Sequence, residues 1–295
     1  GTNNGATEYT GFVNALAGES LNMDSSNLVV SDLQQTSGYS PYALSFDGIN
    51  DYLVLDSSVD LGINSSISVW VNLDTNYLGV LLGESTYPNG NYFIQSRYNV
   101  FYVRIGIVYL PFYLTATALT AGSWHHLAVT RSGDSISTYV DGTFIETKTG
   151  YGTSVTTKFD TIADRQTNSY PLEGKITQLS AFNTTLTSTQ IVEIYNEGVP
   201  GNLHNFSGTA PVAWWQLGSN SSFNTNWTCL DEIGTNNAVS AGGMTNDDIT
   251  DGPGYSASGL GSSSIDIKGD APYSTANGLS ENMDVLDRTT DVAPS

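Results

Sequence analysis

The chain has 295 residues, of which 39% are hydrophobic and only 13% charged; 29 acidic side chains against 9 basic ones give a net charge of −20. Nothing in that balance displaces counterions along a nucleic-acid groove or attracts an anionic bilayer, so nucleic-acid binding and membrane insertion are excluded. Solubility in salty water is the plain reading of the acidity, with cation binding as the other. No apolar run approaches the roughly 18 residues of a membrane span, and the one cysteine, Cys229, reads as a buried thiol without a disulfide partner.

Strand-like runs alternate with Gly, Asn, Asp and Ser turns nearly throughout, the pattern of an all-β sandwich. The chain opens at Gly1 with neither methionine nor signal peptide, and it reads as a processed protein or a piece of something longer. Residues 1–42 form a lead-in, and the core of the sandwich runs over 43–198. Within it, Phe101 to Leu114 is the most apolar stretch; Arg104, Gly106 and Pro111 interrupt it, so it reads as adjoining strands. Ser123–Arg131 and Ile136–Gly142 read as a hairpin, with positive-φ residues supplied by Ser132-Gly-Asp134 and again by Asp141-Gly142. A helix is predicted near 187–196: Thr187 or Ser188 caps it, Ile191, Ile194 and Tyr195 fall at helical spacing, and Gly198 ends it before Pro200.

A Pro/Gly-containing connector over 199–213 then separates the sandwich from a smaller β-rich segment, 214–295. That segment carries an internal echo: Gly1-Thr-Asn-Asn4 recurs as Gly234-Thr-Asn-Asn237, and Gly38-Tyr-Ser40 as Gly254-Tyr-Ser256. It is expected to form a small self-contained unit. The alternative is that Trp214–Asn237 completes the sandwich of a neighbouring chain by strand addition.

Several motifs, taken in order, resemble the laminin-G-like, concanavalin-A-like sandwich family. They are Ala43-Leu-Ser-Phe-Asp-Gly48 with Asp51-Tyr52, Ile67-Ser-Val-Trp-Val71, Trp124-His-His126, Tyr139-Val-Asp-Gly142, Leu172-Glu-Gly-Lys-Ile176, Ala181-Phe182 and Leu186–Tyr195. The resemblance implies a concanavalin-A-like jelly roll of two antiparallel sheets with one short helix. Tyr195–Leu203, Trp214-Trp-Gln-Leu-Gly218, Met244–Ile249 and Met283–Val292 further resemble segments of laminin-G-like structural proteins of marine bacteriophages. That likeness implies a non-enzymatic structural or adhesion part of a virion surface, partnered by other copies of itself and other virion or surface proteins. A secreted bacterial carbohydrate-binding or matrix protein is the alternative, and a glycan-degrading enzyme the third reading; each is placed on a virion surface or outside the cell.

Site chemistry is sparse. Glycan hydrolysis with retention needs two carboxyl groups about 5 Å apart on one strand face, and the alternating acids that would supply them are absent, so no catalytic residue is assigned. His125 and His126 read as hairpin support rather than as general bases. Calcium is the best cofactor candidate, because it takes roughly six to eight oxygen ligands, often from loops. Asp47, Asn50 and Asp51 form one oxygen-rich turn and Asp160 with Asp164 another; turn stabilisation is the competing use of the same residues. Cell-surface glycans are the candidate ligand for Tyr77, Tyr87, Tyr92 and Arg97, in or beside a loop rich in Asn, Gly and Ser. Packing or subunit contact is the other role open to those tyrosines.

Overall fold

The computed structural model describes residues 42–74, 79–85, 91–97, 100–106, 108–113, 119–164 and 170–253. Among the described residues, twelve strands precede the helix: β1 Tyr42–Asp47, β2 Tyr52–Asp60, β3 Asn64–Leu73, β4 Gly79–Glu84, β5 Asn91–Arg97, β6 Val100–Ile105, β7 Val108–Tyr113, β8 Trp124–Ser132, β9 Ser135–Val140, β10 Thr143–Thr149, β11 Lys158–Ile162 and β12 Glu173–Phe182. Helix α1, Ser188–Tyr195, is followed by β13 Ala213–Trp215, β14 Ser221–Asn224, β15 Asn226–Cys229, β16 Ala238–Ala241 and β17 Ile249–Asp251. They form two antiparallel sheets, the expected sandwich. One runs β10-β9-β8-β3-β12-β1-β17, with β13 also on β12; the other runs β14-β15-β16-β2-β11-β4-β5-β6-β7.

Period-two alternation decides which side chains the layers bury. On β3, Ile67, Val69, Val71 and Leu73 enter the inter-sheet core with Leu53, Phe159, Leu82 and Val103 from the opposite layer. The intervening Ser68, Trp70 and Asn72 take the other face of β3. The helix closes that outer side: Ile191 and Ile194 pack with Tyr139, Phe182, Leu186 and Trp214 in a second apolar cluster. Thr187, one of the two expected caps, caps α1 and forms a capping box with Gln190, but the helix ends at Asn196 rather than Gly198. Asn196 adopts φ 45°, a left-handed conformation that asparagine tolerates better than most residues.

The hairpins follow their turn chemistry. β8 pairs with β9 from Leu127↔Val140 to Ser132↔Ser135, and Asp141 and Gly142 take φ 49° and 73° before β10. The apolar run at 101–114 resolves into the β6–β7 hairpin around Gly106.

The division at 199–213 differs from the expected one. Within the connector, Leu203 and Phe206 join the helix-side cluster. Beyond it, β13 pairs with β12 (Leu179↔Trp215), β16 with β2 (Ala238↔Leu55) and β17 with β1 (Leu44↔Ile249). Trp215, Leu217, Trp227, Cys229 and Met244 lie in the main core. Residues 213–251 are therefore strands of both sheets rather than a separate small unit, and they complete their own sandwich. The strand pattern was readable, but the partners lie up to two hundred residues away in sequence, which local patterning does not report. The lead-in up to Pro41 and residues 254–295 lie outside the described residues.

Trp215 is fully buried and meets Phe159 edge to face, with ring centroids 6.2 Å apart. Trp215→Ala is expected to lower stability by about 3–5 kcal/mol, and ending the chain at Val212 to abolish the cooperative unfolding transition. Urea denaturation followed by tryptophan fluorescence and circular dichroism measures both.

Candidate functional site

The two adjacent histidines face opposite environments because they alternate on β8. His126 is wholly buried beneath α1, its ring 5.3 Å from Trp70 and 5.9 Å from Tyr195. Its Nε2 lies 2.7 Å from Ser68 Oγ while Nδ1 has no partner. A neutral ring with its proton on Nε2 fits, because a bare lone pair at Nδ1 costs less than an unpaired N–H. Burial pushes this imidazole down to about 4, with Asp141 opposing. His125 instead meets Asp141 Oδ2 through Nδ1 at 2.8 Å, and its Nε2 accepts the Thr120 N–H at 2.9 Å. Asp141 Oδ1 accepts the His126 N–H. The His125 imidazole thus holds the turn at Asp141, and the His126 imidazole is packed between β3 and α1.

The turn between β1 and β2 uses its acids as backbone acceptors. Asp47 Oδ1 takes the N–H groups of Ile49 and Asn50, and Asp51 Oδ2 takes that of Asp47 at 3.0 Å. Asp51 is 3% exposed, and its Oδ1 has no hydrogen-bond partner. Loss of water raises its pKa to about 6; the charges of Asp47 and Asp248 and a hydrogen bond with the Asp47 side chain add to this, against the Asp47 N–H. Gly242 and Gly243 close over the turn. A Cβ on Gly243 would sit 2.7 Å from Asn50 Oδ1 and 3.2 Å from Asp51 Oδ1.

Asp160 stands elsewhere, opposite the end of β4. Its Oδ1 accepts the Ser85 N–H at 2.8 Å and its Oδ2 the Ser85 hydroxyl at 2.5 Å. Asp164 is fully buried, and its backbone carbonyl accepts the Thr161 hydroxyl. The structure does not gather Asp47, Asn50, Asp51, Asp160 and Asp164 into one site. Among the described residues, no set of three or more His, Cys, Asp and Glu side chains is disposed to hold a metal ion.

Glu84 is the group that the sequence did not single out. Desolvation and then the Asp160 carboxylate raise its pKa. Cross-strand register brings the pair together: Gly83 on β4 stands opposite Thr161 of β11 and Tyr92 of β5. One more residue along β4 and one back along β11 are Glu84 and Asp160. Of the glycan candidates, Tyr77 and Tyr87 lie outside the described residues, and for Tyr92 and Arg97 only the backbone is described. Tyr92 sits at the Glu84 end of β5, whereas Arg97 pairs with Val100 at the other end. Five residues of strand put them about 17 Å apart, so they do not form one cluster.

Residues 47–192 match the Laminin G 3 family, the concanavalin A-like lectin/glucanases superfamily. The match runs from the β1–β2 turn into α1 and leaves out β13–β17. No curated protein matches the chain. Among solved structures, a candidate carbohydrate binding protein from Bacteroides ovatus is similar, with a TM-score of 0.54 and 14% identity, over 73% of this chain and 61% of that one. This chain thus spans about three fifths of that protein's length. A heptameric SAP-like pentraxin from Limulus polyphemus gives a TM-score of 0.42 at 13% identity, covering 53% of this chain and 82% of that one. Domains LG4-5 of the mouse laminin alpha1 chain give 0.40 at 18%, covering 48% and 41%.

Within this sandwich, His126 and Asp51 titrate with opposite signs. His126 has a folded pKa below its unfolded one, so its contribution is complete above about pH 6.5 and is lost as pH falls towards 4. Asp51 has a folded pKa above its unfolded one, so protonation relieves a burial cost as pH falls through about 6. Asp51→Asn is expected to raise stability at pH 7 by about 1–2 kcal/mol and to steepen the loss between pH 6 and 4. Urea midpoints measured against pH test this; an unchanged slope would contradict it.

Proposed function

We propose that this chain is a non-enzymatic adhesion module displayed outside the cell, on a virion or cell surface, and that it holds glycans at the end of the sandwich where β4, β5 and β11 meet. The observation that carries the reading is the register there, which sets Tyr92 beside Gly83 and places Glu84, Ser85 and Asp160 at the same end. Fixed polar groups for a sugar's hydroxyls at the end of a sheet are part of the make-up of a carbohydrate site, and Tyr92 stands on the neighbouring strand at that end. The fold shared with the Bacteroides candidate carbohydrate binding protein supports the same ligand class. The engagement of His125 by Asp141 and Thr120, and of Asp160 by Ser85, supports a binding rather than a bond-breaking role. Weak single contacts suit a surface element present in many copies, because repetition converts them into tight attachment. The virion setting rests on the sequence likeness to bacteriophage laminin-G-like proteins.

A second reading is favoured by one observation: Glu84, with its raised pKa, neighbours a second carboxylate. Acid-assisted glycoside hydrolysis uses such a pair. A glycan array probed with the full chain, with and without calcium, separates the two. Binding is expected in both conditions, with Tyr92→Ala and Glu84→Gln each weakening it about tenfold, the equivalent of one good contact. No glycan retained in either condition removes the adhesion reading. Release of reducing ends by the unmodified chain, lost in Glu84→Gln, replaces it with the hydrolase.

A further inference from the structure

The strands added by residues 213–251 are fastened at one point by two asparagines. Asn236 Oδ1 accepts the Ser57 N–H at 2.8 Å and the Ser57 hydroxyl at 3.2 Å, and its Nδ2 donates to the Ser57 carbonyl at 3.0 Å. Asn237 bonds Asp56 in both directions, its N–H to Asp56 Oδ2 and its carbonyl from the Asp56 N–H. Further on, Met244 enters the core, Thr245 caps the turn at Asn246–Asp248, and Ile249 pairs with Leu44.

Every one of these anchors has a counterpart in the first forty residues, in the same order. Gly1-Thr-Asn-Asn4 repeats Gly234-Thr-Asn-Asn237. Met23-Asp-Ser-Ser-Asn-Leu28 repeats the plan of Met244-Thr-Asn-Asp-Asp-Ile249, with the methionine, a capping residue after it and an aliphatic residue at the end. Gly38-Tyr-Ser40 repeats Gly254-Tyr-Ser256. The chain thus carries two segments suited to one place on the sandwich, and residues 234–251 of the same chain fill that place in the structure.

We propose that the Asp56–Ser57 place is an exchange site through which copies of this chain link, its second occupant being residues 1–40 of another copy. Seating that segment trades like contacts for like contacts. Its asparagines replace Asn236 and Asn237, and the displaced 234–251 segment gives up its bonds to Asp56 and Ser57. Two copies that each seat residues 1–40 on the other fill both places and close as a dimer, whereas a copy whose first forty residues enter a third chain extends the assembly head to tail.

Mixing a Ser57→Cys full-length chain with an Asn3→Cys full-length chain, refolding them together and oxidising tests the pairing. A disulfide-linked heterodimer is expected, and a Ser57→Cys, Asn236→Cys double variant is the control that closes within one chain. Absence of the heterodimer while that control closes overturns the proposal. So does a bond that forms in a Ser57→Cys, Asn3→Cys double variant only within the chain. Light scattering of the otherwise unmodified protein gives an independent readout. Its mass is expected to rise with concentration, and Asn3→Ala with Asn4→Ala to weaken that association about tenfold or more, as loss of at least two hydrogen bonds requires. A single-chain mass at every concentration, or association unchanged by the asparagine variants, also overturns it.

Discussion

One carboxylate, that of Asp231, organises the closure on which the sandwich depends. Its Oδ1 accepts the N–H groups of Trp214 and Ile233, and its Oδ2 that of Asn236. The group is 7% exposed, so these bonds also satisfy an anion that burial would otherwise penalise. They hold the start of β13 against the turn that delivers β16 to β2. Without that turn, β1 would lack β17 and β2 would lack β16, and each sheet would present an open row of backbone groups. The indole of Trp215 reinforces the join by donating to the Asn236 carbonyl at 2.7 Å. A late segment is thereby made integral to the first two strands of the described fold.

The layer architecture was legible because it is written in local chemistry. Alternating apolar residues on β3, the paired positive-φ residues at Asp141-Gly142 and the cap at Thr187 each report on their own few residues. Pairing across the sheet is a different kind of information. Ala213–Trp215 reads as a strand from its composition, but nothing in those residues says that β12 is the neighbour. The same limit hid Glu84, an unremarked acid at the end of a short strand until register sets it beside Asp160. It also left open whether the two oxygen-rich turns, at Asp47–Asp51 and at Asp160 with Asp164, approach each other. Spacing within each turn was visible, while the distribution of the turns over the sandwich was not.

The adjacent histidines show how far a one-residue step matters on a strand. His125 reaches Asp141 and Thr120 near the rim, while His126 lies under a helix against Trp70. A motif search sees two neighbouring imidazoles and a carboxylate. Alternation turns them into two unrelated supports, one anchoring the turn and one filling the space below α1.

The acidity of the chain has a structural consequence as well as a colloidal one. With 9 basic side chains for 29 acidic ones, ion pairing cannot neutralise the surface. Pairs such as Lys158–Asp60 at 3.0 Å and Lys148–Glu146 at 3.3 Å are outnumbered by carboxylates that accept backbone N–H groups. Asp47, Asp60, Asp231 and Asp248 each close a turn in this way, and Asp134 ties the β8–β9 turn to Gly150. Such bonds act over one contact distance, whereas the mutual repulsion of the net charge acts over about a Debye length. Salt therefore screens the repulsion and leaves the turn bonds in place, so an acidic chain that uses its carboxylates as local fasteners suits saline surroundings.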